Sequence, residues 1–208
     1  MSQPQHADGR VVAAFDFDGT LTHGDSLRHF IPFVRGWPRT LLGYVLISPW
    51  LLGFVLHLVS RTHAKERVLR HFFGGWPQAR LQEHGERFAH EAIPGLLKPE
   101  AVAAFRNHQA AGHRCVLISA SPDVYLHPWA QAMGFDHALT SELVTDAEGA
   151  VTGRLRDGNC WGPEKTRRLL AWLGERDGYE IYAYGDSRGD RELLALADHP
   201  GYREFPPL

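Results

Sequence analysis

The chain has 208 residues, 44% of them hydrophobic and 22% charged, with a formal net charge of −2. These values fit one ordinary globular domain with room for an insertion, and they exclude a disordered, collagen-like or coiled-coil chain. No basic excess points to nucleic acid. The two cysteines, Cys115 and Cys160, are too few for a disulfide framework or a Cys-based zinc site.

The first ten residues, MSQPQHADGR, are polar and hold no apolar run. They do not read as a signal peptide, so a cytoplasmic location is expected. Val11 to Phe15 is a short apolar run that ends at Asp16, the pattern of a buried parallel strand. From about Ser26 to Ile93 the chain reads as mostly helical. Within it Thr40 to Ser60 contains no Asp, Glu, Lys or Arg. As one helix this stretch would be about 30 Å long, enough to cross a bilayer. A single crossing is incompatible with one sheet, because the first strand precedes the stretch and the others follow it. Pro49 divides the run and is expected to interrupt it. Arg35 and Arg39 flank one end; Arg61, Lys65 and Arg67 flank the other. The expectation is a shallow re-entrant or interfacial hairpin on the cytoplasmic face of the inner membrane. The same apolar residues could instead pack in a soluble core or against a partner subunit.

Pro99 to Gln109 reads as a helix, and Cys115 to Ile118 as a second buried strand closed by Ser119-Ala120-Ser121-Pro122. Another helix runs to about Gly134, with Pro128 inside it as a kink. Ser141 to Leu155 reads as a strand pair about Asp146-Ala147-Glu148-Gly149. Pro163 opens a helix. Ile181 to Tyr184 is a third buried strand ending in Gly185-Asp186, and a helix from about Asp190 to Ala197 follows. Strands alternating with helices predict an α/β fold with a doubly wound, mostly parallel sheet. The ligand site of such a sheet lies beyond the carboxyl ends of its strands, where Asp16, Ser119 and Asp186 all fall.

Asp16-Phe17-Asp18 places two carboxylates on one rim, where they repel unless a cation or a shared proton intervenes. One could attack as a nucleophile and the other transfer a proton. Alone, such a pair is more often a turn or a helix cap. Ser119 offers a hydroxyl near a helix start, suited to a phosphate oxygen or to simple capping. Lys165 sits in the first turn of its helix, against the helix dipole, and a bound phosphate or carboxylate would explain it. Asp186 and Asp190 are hard oxygen ligands of the kind Mg²⁺ takes, or parts of a capped turn.

Taken together, Asp16-Phe17-Asp18-Gly19-Thr20-Leu21-Thr22, Ile118-Ser119-Ala120-Ser121, Gly162-Pro163-Glu164-Lys165 and Tyr184-Gly185-Asp186-Ser187-Arg188-Gly189-Asp190 resemble the haloacid dehalogenase superfamily of phosphatases. The resemblance implies a Rossmann-like core over residues 1–24 and 94–208, and a helical cap over 25–93 inserted after the first strand. It implies Asp16 as nucleophile through an aspartyl-phosphate and Asp18 as general acid and base. Mg²⁺ would be held by Asp16, the Asp18 carbonyl and Asp186, with Asp190 behind them. Phosphate would be held at Gly19, Thr20, Ser119, Ala120 and Lys165. The cap placement is similar to the phosphoserine-phosphatase-like subfamily. Ser119-Ala120-Ser121-Pro122, Cys160 to Lys165 and Asp186-Ser187 to Asp190 look more like the bacterial phosphatidylglycerophosphatase C type. The expected substrate is therefore a phosphate monoester on a membrane lipid, with a small soluble ester as the alternative. A binding protein of the same fold without chemistry is a third reading, set against the retained acids and lysine.

Overall fold

The computed structural model describes residues 10–208 except 175 and 207, so most of the polar N-terminal segment lies outside the described residues. Five parallel strands form one sheet. They are β1 (Val11–Phe15), β2 (Arg114–Pro122), β3 (His137–Ser141), β6 (Glu180–Gly185) and β7 (His199–Tyr202), in the order β3-β2-β1-β6-β7. Between them, β4 (Leu143–Thr145) and β5 (Val151–Leu155) make the expected antiparallel pair. Its turn is tied by Asp146, whose carboxylate accepts from the Glu148 and Ala150 N–H groups. The edge strands β3 and β7 were not expected.

Alternating residues of the central strands serve two cores. Ala13, Phe15, Cys115, Leu117 and Tyr184 face one side of the sheet; Val12, Ala14, Val116, Ile118, Ile181 and Ala183 face the other. The second face is covered by α7 (Pro163–Leu173) and α8 (Arg191–Leu196), through Leu169, Leu173 and Leu193. The first is covered by α5 (Pro99–Ala110) and α6 (Asp123–Met133). Strands sandwiched between helix layers carry apolar residues on both faces, which makes their runs continuous rather than alternating.

Four helices lie between β1 and α5: α1 (Ser26–Arg35), α2 (Trp37–Val55), α3 (Arg61–Phe73) and α4 (Gln78–Glu91). Asp25 starts α1 by accepting from the Leu27 and Arg28 N–H groups, and Ser60 starts α3 by accepting from His63 N–H. Phe30, Leu69, Phe73 and Phe88 from this layer join the core under the sheet's first face, where Phe30 meets Phe73, Phe88 and Tyr125.

The apolar stretch departs from expectation at Pro49. Helix α2 passes through the proline without a break and ends at Val55. A proline leaves the carbonyl four residues earlier without its donor, here that of Val45. The Ser48 hydroxyl fills the gap, donating to the Val45 carbonyl at 2.7 Å. The reversal comes instead after Val55. His57 adopts φ 58, and the Leu58 and Val59 N–H groups donate to the Gly53 carbonyl. The hairpin is therefore α2 against α3, and the uncharged run covers only α2 beyond Arg39 and the following turn. Helix α2 buries a thin stripe, Thr40, Gly43 and Ile47. Gly43 lies against the Phe72 ring, so closely that a Cβ there would overlap it.

Candidate active site

Parallel register brings the three strand ends together. Phe15 pairs with Leu117 on one side and Tyr184 on the other, so Asp16, the Ser119 segment and Asp186 emerge on one rim. The Asp16 N–H still belongs to the sheet, donating to the Tyr184 carbonyl at 3.0 Å. After Asp16 the chain makes a wide turn over Phe17–Leu21, closed by Thr22 N–H on the Phe17 carbonyl. Gly19 takes φ +84 in this turn, and a Cβ there would overlap the Asp186 carboxylate.

Asp16 is buried. Its Oδ1 accepts from Lys165 Nζ at 2.5 Å and its Oδ2 from the Thr20 hydroxyl at 3.1 Å. Lys165 also donates to Asp190 Oδ1 at 2.5 Å. This explains a lysine in the first turn of α7, since two buried carboxylates hold it there. Burial opposes the Lys165 charge, yet Asp16 and Asp190 outweigh it and hold the ammonium well above its usual range. Burial raises the Asp16 carboxyl, and Lys165 opposes that rise. Asp190, fully buried, uses its other oxygen to accept from the Asp186 N–H, the Ser187 N–H and the Ser187 hydroxyl. It thus fixes the loop that presents Asp186.

Carboxylate oxygens of Asp16, Asp186 and Asp190 lie within 4.8 Å of one another. Burial raises the Asp186 carboxyl, with Asp190 adding to the effect, and Asp186 Oδ1 is buried without a hydrogen-bond partner. Three hard oxygen donors, one of them unsatisfied, fit a divalent cation such as Mg²⁺. The Asp18 carboxylate lies outside this cluster. Its Oδ1 accepts from Ser26 N–H at 2.7 Å and its Oδ2 accepts from the Ser121 hydroxyl. Burial, followed by the nearby Asp25 charge, raises the Asp18 carboxyl.

These residues floor a cleft of about 950 Å³. Asp16, Asp18, Gly19, Ala120, Lys165 and Asp186 line it. Ser119 and Thr20, both buried, are not among the residues that line it. The buried Ser119 hydroxyl accepts from Ser121 N–H, which fixes the turn that brings Ala120 and Ser121 to the cleft. Sequence reasoning missed several contributors. Lys65 Nζ donates to the Ala120 carbonyl and to Asn159 Oδ1, and Lys98 Nζ donates to the Gly19 carbonyl. Lys98 occupies the N-cap of α5, where a cation opposes the helix dipole. The same signal had singled out Lys165. Lys65, reaching the site from mid-α3, leaves no comparable mark in the sequence.

The haloacid dehalogenase-like hydrolase profile matches residues 13–195. The chain belongs to that family. It is an enzyme, a phosphatase of this family. Protein CicA of Caulobacter vibrioides is 37% identical over 195 residues, 94% of this chain and 86% of that protein. A histidinol-phosphatase of Neisseria meningitidis is 26% identical over 212 residues, 91% of this chain and 88% of that one. The crystal structure of phosphoserine phosphatase in its apo form shares the fold, with a TM-score of 0.56 at 16% identity over 89% of this chain and 82% of that one.

Proposed function

We propose that this phosphatase hydrolyses a phosphate monoester carried by a membrane lipid, of the phosphatidylglycerophosphate type, at the cytoplasmic face of the inner membrane. The observation that carries this reading is the surface of α2. Only 17% of its apolar stretch is buried. Leu41, Leu42, Val45, Leu46, Leu52 and Val55 are all exposed. The patch continues into the cleft, because Trp37, Leu51 and Phe54 of the same helix line it. An exposed apolar face of this kind marks a surface for lipid or a partner rather than for water. Arg35 and Arg39 near its start and Arg61 and Arg67 beyond its end suit an anionic surface. With its buried stripe packed on the protein, α2 would lie in the interface plane, not across it.

In this reading Asp16 attacks phosphorus and forms an aspartyl-phosphate, while Asp18 gives its proton to the leaving oxygen. Asp18 then takes a proton from the attacking water, the Asp16–phosphorus bond breaks, and inorganic phosphate leaves. The raised Asp18 carboxyl suits a group that must hold a proton before the first step. Lys165 stabilises charge on the transferring phosphoryl group. Mg²⁺, held by Asp16, Asp186 and the Asp18 carbonyl with Asp190 behind, would offset repulsion between the anionic nucleophile and the anionic ester.

A small soluble ester is the second reading, supported by the likeness to histidinol-phosphatase. The test compares phosphatidylglycerophosphate in vesicles with a panel of soluble esters, and follows flotation with anionic vesicles. We expect co-flotation, its loss in Leu52→Glu, and a preference of about tenfold or more for the lipid. A similar preference for a soluble ester overturns the lipid reading.

A further inference from the structure

Behind the Gly19 turn lies a second, smaller cavity of about 200 Å³. Gly19 lines both this cavity and the active-site cleft, so its turn is the partition between them. Lys98 and Arg203 line the small cavity and not the cleft. Glu100 and Glu204 line it too, so the two positive charges are matched by two negative ones. The cavity offers no surplus charge to an anion, and the chemistry above uses neither cation.

Both cations donate to backbone carbonyls of the turns that carry the acids. Lys98 Nζ donates to the Gly19 carbonyl. Arg203 Nε donates to the Asp186 carbonyl at 2.9 Å, and Arg203 N–H donates to the Gly185 carbonyl at 2.9 Å. Each donor is aimed by the backbone beneath it. Residues 21–23 and 96–98, where the chain leaves and re-enters the core, run antiparallel. There His23 N–H donates to the Leu96 carbonyl and Lys98 N–H to the Leu21 carbonyl, both at 2.9 Å. Arg203 holds φ 60, a left-handed conformation that a non-glycine residue keeps only where its surroundings impose it. Just beyond it the Phe205 ring packs on Tyr184, with centroids 5.4 Å apart.

On the cleft side the same two turns touch. The Asp186 carboxylate lies so close to Gly19 that a Cβ there would overlap it. Asp190 already holds the Asp186 N–H, and Arg203 holds the carbonyl of the same residue. Gly19 follows Asp18, whose carbonyl is one of the metal ligands proposed above. We propose that Lys98 and Arg203 are positioning residues that hold the Gly19 and Asp186 turns together from behind, and so set the affinity of the site for its divalent cation. The inference rests on the metal reading of Asp16, Asp186 and Asp190, and is independent of what the substrate carries. The sign of the effect is diagnostic. The charges of Lys98 and Arg203 reach Asp186, where they oppose the rise that burial and Asp190 cause in its carboxyl. Acting through charge alone, the two cations would repel a third, and removing either would tighten Mg²⁺. Acting by position, removal loosens it.

The test measures binding of Mn²⁺, which takes the same oxygen ligands as Mg²⁺, to the substrate-free full chain. Free Mn²⁺ is read by electron paramagnetic resonance, with Mg²⁺ as competitor. We expect Arg203→Gln and Lys98→Met each to weaken both ions by about tenfold, and Arg203→Lys to recover part of the loss. The Mg²⁺ concentration for half-maximal hydrolysis of an aryl phosphate should rise in step, by more than kcat at saturating Mg²⁺ falls. Thermal melts check the fold. The Arg203 side chain is exposed, and Lys98→Met removes a cation that opposes the α5 dipole, so both variants should fold. Unchanged or tighter binding in either folded variant overturns the proposal, and the metal reading then stands if Asp186→Asn still abolishes binding. Absence of Mn²⁺ binding in the unaltered chain, or binding that Asp186→Asn leaves intact, overturns both.

Discussion

The rim of the sheet and the outer face of α2 are near opposites in how they meet water. At the rim, charged groups are buried and almost all are partnered: Lys165 between Asp16 and Asp190, Asp190 on the Ser187 loop, Asp18 between Ser26 and Ser121. On α2, Leu41, Leu42, Val45, Leu46, Leu52 and Val55 are exposed. Each arrangement is costly for folding taken alone. The rim concentrates charge for chemistry, and α2 keeps an apolar surface out of the core.

Substitutions can break that contrast. Asp16→Asn removes the nucleophile, and Mg²⁺-dependent hydrolysis of an aryl phosphate should fall by about a thousandfold or more while circular dichroism stays unchanged. Comparable rates in both proteins would assign the activity to another group. Next in size is the seam where α2 meets the protein. Gly43→Val forces a side chain into the Phe72 ring, and denaturant unfolding should show a loss of roughly 2–3 kcal/mol. An unchanged midpoint would mean α2 is not seated on α3 as described.

A third experiment sharpens the role of burial behind the rim. His108 is 1% exposed and is bonded to the Tyr184 hydroxyl and His113 Nδ1, each at 2.7 Å. Burial, with His113 adding, lowers it to about 4. The unfolded chain therefore binds the extra proton between about pH 6.5 and 4, and the native state does not. Stability present above pH 6.5 should be lost as pH falls to about 4, by roughly 3 kcal/mol. His108→Gln should flatten that slope in thermal melts at stepped pH. The smallest effect is expected on the outer face of α2. Leu46→Glu should move stability by no more than about 0.5 kcal/mol, since the side chain is already in solvent. A large loss would show that the face is covered in solution.

Much of the site was legible because its residues sit where continuous apolar runs stop. Val11 to Phe15, Cys115 to Ile118 and Ile181 to Tyr184 are buried on both faces, which gives them an unbroken apolar signature with chemistry at its end. Strands β3 and β7 left no such mark. They are short, lie at the sheet edges and carry polar residues, and β7 also holds Pro200, as edges tolerate. Pro49 misled for a local reason: whether a proline breaks a helix depends on whether another donor takes the orphaned carbonyl, and here Ser48 does.

The sequence by itself determined the α/β class, the four motif segments and the uncharged stretch, because each depends on residues close along the chain. Only the tertiary structure decided that Lys65 and Lys98 reach backbone carbonyls of the motif turns, that Arg61 is clamped between Phe54 and Trp161, and that α2 turns its leucines outward. Those outcomes are set by packing between segments distant in sequence. A leucine-rich helix looks the same in sequence whether its apolar face meets a core, a partner or a membrane, and burial is what tells them apart.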